Sequence, residues 1–469
     1  MAYSTFVASF CSSIFSTTTS QVNQEFGVST KVSTLGVTLY VLGFAAGPII
    51  WAPASELSGR RWPVTIGLFG YSIFSIATAT AKDFQTVMLT RFFSGLFAAA
   101  PLATVPAVYA DMYDHAHRGI AVALFAVSVF VKPFAAPWIG AFITESYLGW
   151  RWTMYISSFM GWFAFVLLLL FFRKTYAPVV LVEKAAILRR QTRNWGIHAR
   201  QDEIEVDAHE LLTNNFGRPF RMLFTEPIVL LFSLYMSFIY GLMYALLGAY
   251  PVVFQGIYDM SSSVGSLPFI GLMIGEFLGG VYALLAMRMY AKKLRANNNV
   301  PVPEWRLPPC VVGGVVFAIG MFWFGWTGFT KSVHWMAPAA SGLAVGFGIF
   351  SVFLQCFNYL VDSYLTLSVL YLPLLQPELT NIPWFKAASV FAANTIMRSA
   401  VGATFPLFSR QLFRNLGVQW TGTLIGCIAV IMIPIPIVFI VFGPKLRGMS
   451  QFAPAGRRMS HSEKMPSPS

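Results

Sequence analysis

Long apolar runs separated by short polar breaks recur along almost the whole chain. A helix needs about 20 apolar residues to cross the hydrocarbon core of a bilayer. On that basis the pattern predicts spans at 34–53, 64–81, 89–110, 119–143, 152–172, 224–248, 263–287, 309–328, 336–358, 387–408 and 421–442. A weaker run, Met1–Thr17, predicts a twelfth, after which the polar stretch Thr18-Thr19-Ser20-Gln21-Val22-Asn23 takes over. So short a first span carries the expectation of a truncated N-terminus. The longest break, 173–223, divides the spans six and six. The expected domains are therefore an N-terminal six-helix half (1–172), a cytoplasmic connecting loop (173–223), a C-terminal six-helix half (224–442) and a basic tail (443–469). Within the connecting loop, Lys184, Arg189 and Arg190 fit an amphipathic, headgroup-lying helix, followed by an acidic patch at Asp202, Glu203 and Glu205.

Composition sharpens the class. Of 469 residues, 56% are hydrophobic and only 11% charged, against about 25% charged in soluble domains. The fold class is an all-α membrane protein with the lipid bilayer as its surroundings. A net charge of +13 in a soluble chain would suggest nucleic acid, but here the basic residues lie between apolar runs, so no nucleic-acid partner is expected. With the Arg60-Arg61 loop on the cytosolic side, that side holds 23 loop Lys/Arg and the other six. This bias obeys the positive-inside rule and sends both termini to the cytosol. The remaining three basic residues, Arg91, Lys132 and Arg398, fall inside spans, as does Glu276. Intramembrane charge is expensive and marks function by default.

Other chemistry is sparse. The N-terminus lacks a basic stretch before its apolar run, so no cleavable signal peptide is expected. Cys11, Cys310, Cys356 and Cys427 sit in apolar runs without metal or disulfide spacing and read as small core residues. His115 and His117 read as a helix start rather than a metal-ligand pair. No catalytic constellation, metal site or phosphate loop stands out, so neither an enzyme nor a bound cofactor is expected, and energy must come from an ion gradient.

The segment Gly47-Pro48-Ile49-Ile50-Trp51-Ala52-Pro53-Ala54-Ser55-Glu56-Leu57-Ser58-Gly59-Arg60-Arg61-Trp62-Pro63 resembles the signature loop of the major facilitator superfamily, in the form found in the fungal twelve-span drug:proton antiporter branch. That branch includes multidrug, toxin and polyamine exporters. Arg91-Phe92-Phe93-Ser94-Gly95, Gly149-Trp150-Arg151-Trp152, Thr175-Tyr176-Ala177-Pro178, Glu226-Pro227, Arg306-Leu307-Pro308-Pro309 and Arg398-Ser399 are similar to further motifs of the branch. The resemblance implies the major facilitator fold, 6+6 helices around a central cavity. It also implies a gating role for Glu56, Gly59, Arg60 and Arg61, with a purely topological anchor as the alternative. Arg91 would belong to the proton-coupling machinery, or else form a structural contact or snorkel. Spans 4 and 10 both end in Asp-x-Tyr, at Asp111 and Asp362, a faint echo of the parallel repeats of such transporters.

Two stretches depart from the branch. The span-5 antiporter motif is reduced to Lys132-Pro133-Phe134-Ala135-Ala136-Pro137-Trp138-Ile139-Gly140, which keeps Pro133, Pro137 and Gly140 but puts a lysine at mid-membrane. Glu276 holds a matching depth in span 8, and the resemblance packs spans 5 and 8 together. A Lys132–Glu276 ion pair or shared proton site is one expectation, and separate exposure to the cavity is the other. Leu365–Lys386 intervenes before span 11, as an added interfacial loop or a translated intron.

The function expected from all this is proton-coupled efflux of a small amphipathic compound such as a drug, toxin or secondary metabolite. The protein is expected to work as a monomer in the plasma membrane. Uptake of a polyamine or nutrient is the first alternative, and a non-transporting sensor or defective product the second.

Overall fold

The computed structural model describes residues 1–112, 115–199, 220–297, 302–364 and 382–449, and every long regular element among them is a helix. In the first half these are α1 (Ala2–Ile14), α2 (Thr19–Phe26), α3 (Thr30–Leu57), α4 (Arg61–Thr80), α5 (Phe84–Met112), α6 (His115–Glu145) and α7 (Arg151–Phe171). The connector contributes α8 (Ala177–Thr192), where an amphipathic helix was expected. The second half holds α9 (Pro227–Tyr250), α10 (Phe269–Ala296), α11 (Pro308–Thr327), α12 (Met336–Tyr364), α13 (Ile382–Asn415), α14 (Val418–Met432) and α15 (Pro434–Met449). The acidic patch at Asp202, Glu203 and Glu205 and the tail beyond 449 lie outside the described residues.

Nine helical segments among the described residues are long and apolar enough to cross a membrane. Most helices outrun their apolar cores. The run at 34–53 sits within α3, 30–57, because polar residues at each end extend the helix into the headgroup layer. Local signals set the ends. Ser29 accepts from the Val32 amide at 3.4 Å, and Asp83 caps α5 through the Thr86 amide at 2.7 Å. Proline sits in the first turn of α9 and α11, where its missing N–H is harmless.

Two sequence boundaries need correction. The polar stretch at 18–23 does not end helical structure. A 3-10 turn at Phe15–Thr17 passes the chain into α2, which runs to Phe26 before Gly27 turns left-handed. Most serines and threonines of this segment bond to carbonyls of their own preceding turn. Examples are Ser12 to Ser9 at 2.6 Å, Thr17 to Ile14 at 2.8 Å and Thr18 to Phe15 at 2.8 Å. Their hydroxyls therefore need no water, and the helix persists where hydropathy fades. Near span 11, Ile382–Lys386 are already helical and continuous with α13, so the tail of the supposed insertion belongs to that helix. Residues 365–381 lie outside the described set.

Helices meet where side chains vanish. A Cβ on Gly95 of α5 would stand 2.1 Å from the Tyr40 carbonyl of α3. One on Gly346 of α12 would stand 2.1 Å from the Leu272 carbonyl of α10. Such backbone approach is how helices pack in lipid, where burying apolar surface gives no advantage. α1 and α3–α7 pack as one group, α9–α14 as a second, and the groups meet along α3 with α13 and α6 with α10. Outward faces carry exposed Phe69, Phe163, Leu170, Leu285, Ile319 and Ile431, an apolar girdle suited to lipid. Cys11, Cys310 and Cys356 are buried, whereas Cys427 is exposed on α14 and so is not a core residue.

Candidate functional site

The two helix groups enclose a narrow central cavity. From the first come Ser9, Phe44, Pro48, Ala99, Leu102 and Val129, and from the second Tyr240, Thr395, Arg398 and Ser399. Only about 10 Å³ is open to the centre of a water molecule, about the minimum that holds one water. The structure is thus closed around its centre. Arg398 reaches this cavity from α13. Its guanidinium lies 5.0 Å from the Tyr240 ring and 5.1 Å from the Phe353 ring, and its buried Nε has no hydrogen-bond partner. From Tyr240 a chain of hydroxyls crosses between the groups. Tyr240 and Tyr244 hydroxyls are 3.5 Å apart, and Tyr244 donates to Ser12 of α1 at 3.0 Å.

Lys132 and Glu276 do not form the expected ion pair, although their helices α6 and α10 do pack together. Lys132 is buried and turns toward α1, its Nζ lying 4.8 Å from the centre of the Phe6 ring. Glu276 is fully buried where α10 crosses α12, and neither carboxylate oxygen has a partner. Sequence gives the depth of each charge but not the azimuth of its side chain, and the azimuths differ. Pro133 and Pro137 are buried in an unbroken α6, and Gly140 faces the end of α1, where a Cβ would meet the Thr17 hydroxyl at 2.6 Å. Phe130 and Phe134 carry α6 across to the second group, at 4.3 Å from Phe353 and 6.1 Å from Phe269 between ring centres.

Arg91 is fully buried and bonded throughout. Nε donates to the Gly36 carbonyl of α3 at 2.9 Å, while Nη1 and Nη2 both donate to the Cys11 carbonyl of α1 at 3.2 Å. Its guanidinium lies between the Tyr40 and Phe15 rings, at 4.3 Å and 4.8 Å. This fork ties three helices together one turn from the Gly95 contact, the geometry of an anchor.

At the Gly47–Pro63 loop, Gly59 takes φ +80°, which an L side chain rarely adopts. Arg60 donates to Ser55 Oγ at 2.9 Å and stacks on Tyr176 at 4.5 Å, while Arg61 donates to the Leu169 carbonyl near the end of α7 at 2.9 Å. The loop is therefore held to the last turn of span 6 and to the connector. The Glu56 side chain lies outside the described residues.

Two clusters have partners that the sequence did not reveal. Arg151 bonds Glu25 at 2.6 Å and also the Ala79 and Ala81 carbonyls at the end of α4, each at 3.0 Å. At the opposite face Arg306 pairs with Asp362 at 2.9 Å, Tyr290 donates to the same carboxylate at 2.9 Å, and Tyr364 donates to Glu226 at 3.2 Å. The Asp-x-Tyr ending of span 10 thus ties two sides of one helix to different neighbours. The available signal was the spacing itself, since residues two apart on a helix point apart.

Comparison with known proteins agrees with this architecture. The model of the Major Facilitator Superfamily matches residues 1–372. An uncharacterized transporter (C36.02c) of Schizosaccharomyces pombe is 46% identical over 453 residues, 97% of this chain and 75% of the relative. The major facilitator superfamily multidrug transporter FLU1 of Candida albicans is 43% identical over 444 residues, 94% of this chain and 70% of the relative. Multidrug transporter TPO1_2 of Candida glabrata is 44% identical over 443 residues, 94% and 73%. Among solved structures, the proton:xylose symporter XylE bound to 6-bromo-6-deoxy-D-glucose superposes with a TM-score of 0.64 over 94% of both chains at 16% identity, which speaks to the fold alone. With a central cavity between two helix groups, a matching family model and relatives of this similarity, the chain belongs to the Major Facilitator Superfamily, as a multi-pass membrane transporter.

Proposed function

We propose that this protein is a proton-coupled exporter of small amphipathic compounds, acting in the plasma membrane as a monomer with both termini in the cytosol. The observation that carries the coupling is Glu276, buried at a helix crossing with neither oxygen partnered. A carboxylate there is tolerable while it carries a proton and costly without one. Loss of the proton favours any state that wets this crossing, which links proton release to movement of α10 against α6 and α12. The cavity at Tyr240 and Arg398 opens in the same rearrangement, since its present volume admits no drug-sized molecule. In this scheme residues 1–172 and 224–442 act as the two rocking halves, with 173–223 as connector. Arg60 and Arg61 hold the loop whose release accompanies opening. Relatives named multidrug transporters support export.

The test is reconstitution into liposomes of acidic lumen, with a fluorescent amphipathic dye outside. Transporters whose cytosolic face is outward accumulate the dye, and a protonophore abolishes the accumulation. Dye that instead leaves preloaded liposomes together with protons would sink the export reading. Uptake of a polyamine is the other reading, and the one charged residue lining the cavity, a cation, speaks against it.

A further inference from the structure

We propose that the central cavity takes the anionic head of its substrate, so that the exported compounds are amphipathic acids, carboxylates foremost. The inference rests on the export reading and adds its charge class. Arg398 is the one charged side chain among the lining residues, and no Asp or Glu accompanies it there. Its contacts are the Tyr240 and Phe353 rings, and its Nε is buried without an acceptor. Rings hold the plane of the guanidinium but accept no hydrogen bonds from its edge. That edge is a fork whose natural complement is a carboxylate.

Arg91 makes the contrast within the same protein. Arg91 is the more completely buried of the two, yet its nitrogens are supplied by the Gly36 and Cys11 carbonyls. A buried polar atom left without a partner is destabilising, and a carboxylate beside Arg398 would supply one. Around Arg398, Ser9, Thr395 and Ser399 add hydroxyl donors, while Phe44, Leu102 and Val129 provide an apolar wall for a tail. A polycation would meet the Arg398 charge with no acid among the lining residues to offset it. An anion also suits export, because an inside-negative membrane potential drives it outward while it drives protons inward.

Three dansyl compounds of similar length test the idea in the same acidic-lumen liposomes: dansyl-6-aminohexanoate (anion), its methyl ester (neutral) and dansylcadaverine (cation). The expected order of kcat/KM is acid above ester above amine, with at least tenfold between acid and amine. Arg398→Gln should lower transport of the acid at least tenfold, mainly through KM, and abolish its preference over the ester, while a parental size-exclusion profile and thermal midpoint show that the variant is folded. Arg398→Lys should keep part of the preference for the acid. Best transport of dansylcadaverine, or an equal loss of all three compounds in Arg398→Gln, would overturn the charge assignment while leaving proton-driven export standing. If no compound moves with the gradient, the export reading fails and this inference fails with it.

Discussion

Replacing Arg91 by lysine keeps the charge and removes the fork. The arginine serves the Gly36 carbonyl through Nε and the Cys11 carbonyl through Nη1 and Nη2, so one side chain spans α3 and α1. A single ammonium cannot reproduce both directions. Hydrogen bonds from a charged donor contribute about 1.5–3 kcal/mol each, and a cation on an aromatic face about 0.5–2 kcal/mol. Losing one carbonyl and part of the stacking between Tyr40 and Phe15 should therefore weaken this junction by about 2–4 kcal/mol. Cys11 reports on it directly, being buried with its sulfur 3.3 Å from Nη1. In a variant whose other three cysteines are serine, maleimide labelling of Cys11 should accelerate roughly 30- to 1000-fold, since each 1.4 kcal/mol is about tenfold. The thermal midpoint should fall in parallel, while folded molecules still transport with gradient dependence. Unchanged labelling and midpoint, together with loss of proton coupling, would refute the anchor and make Arg91 part of the coupling chemistry.

Other positions give sharper yes-or-no outcomes. Gly346→Val places a side chain where even a Cβ would be 2.1 Å from the Leu272 carbonyl, so the variant should fail to yield monodisperse protein on size exclusion. Asp362→Asn leaves Arg306 without its carboxylate and should cost about 3 kcal/mol in thermal stability. Breaking the more exposed Glu25 pair by Glu25→Gln should cost under about 1 kcal/mol. Asp83 is held below the usual carboxylate range by hydrogen bonds from the Thr86 amide and hydroxyl. Its contribution to stability is then present above the ordinary carboxylate pKa and is lost as pH falls through the lowered value. Asp83→Ala should reduce the melting temperature at neutral pH and flatten its pH dependence below about pH 4.

The spans were legible because lipid demands apolar length, and nine of the eleven predicted runs fall in helices long and apolar enough to cross. Helix beyond the first run was less legible, because hydropathy penalises Ser12, Thr17 and Thr18 for hydroxyls that the helix itself satisfies. Buried charges were equally conspicuous, since Arg91, Lys132, Glu276 and Arg398 interrupt apolar helices. Their partners were not. Rotation of α6 about its axis decides that Lys132 meets Phe6 and not Glu276, and no local signal encodes that rotation. Arg306 and Asp362, 56 residues apart, stood in separately recognised motifs, but only the packing of the 3-10 turn Pro303–Arg306 against α10 and α12 brings them into one pair.

Glu276→Gln bears most directly on proton coupling. Glutamine keeps the size and the burial but does not ionise, so the variant should lose dye accumulation driven by a pH gradient. It should still exchange labelled for unlabelled dye across liposomes at equal pH, because the halves can rock without proton release. Gradient-driven accumulation at the parent rate in Glu276→Gln would contradict the account.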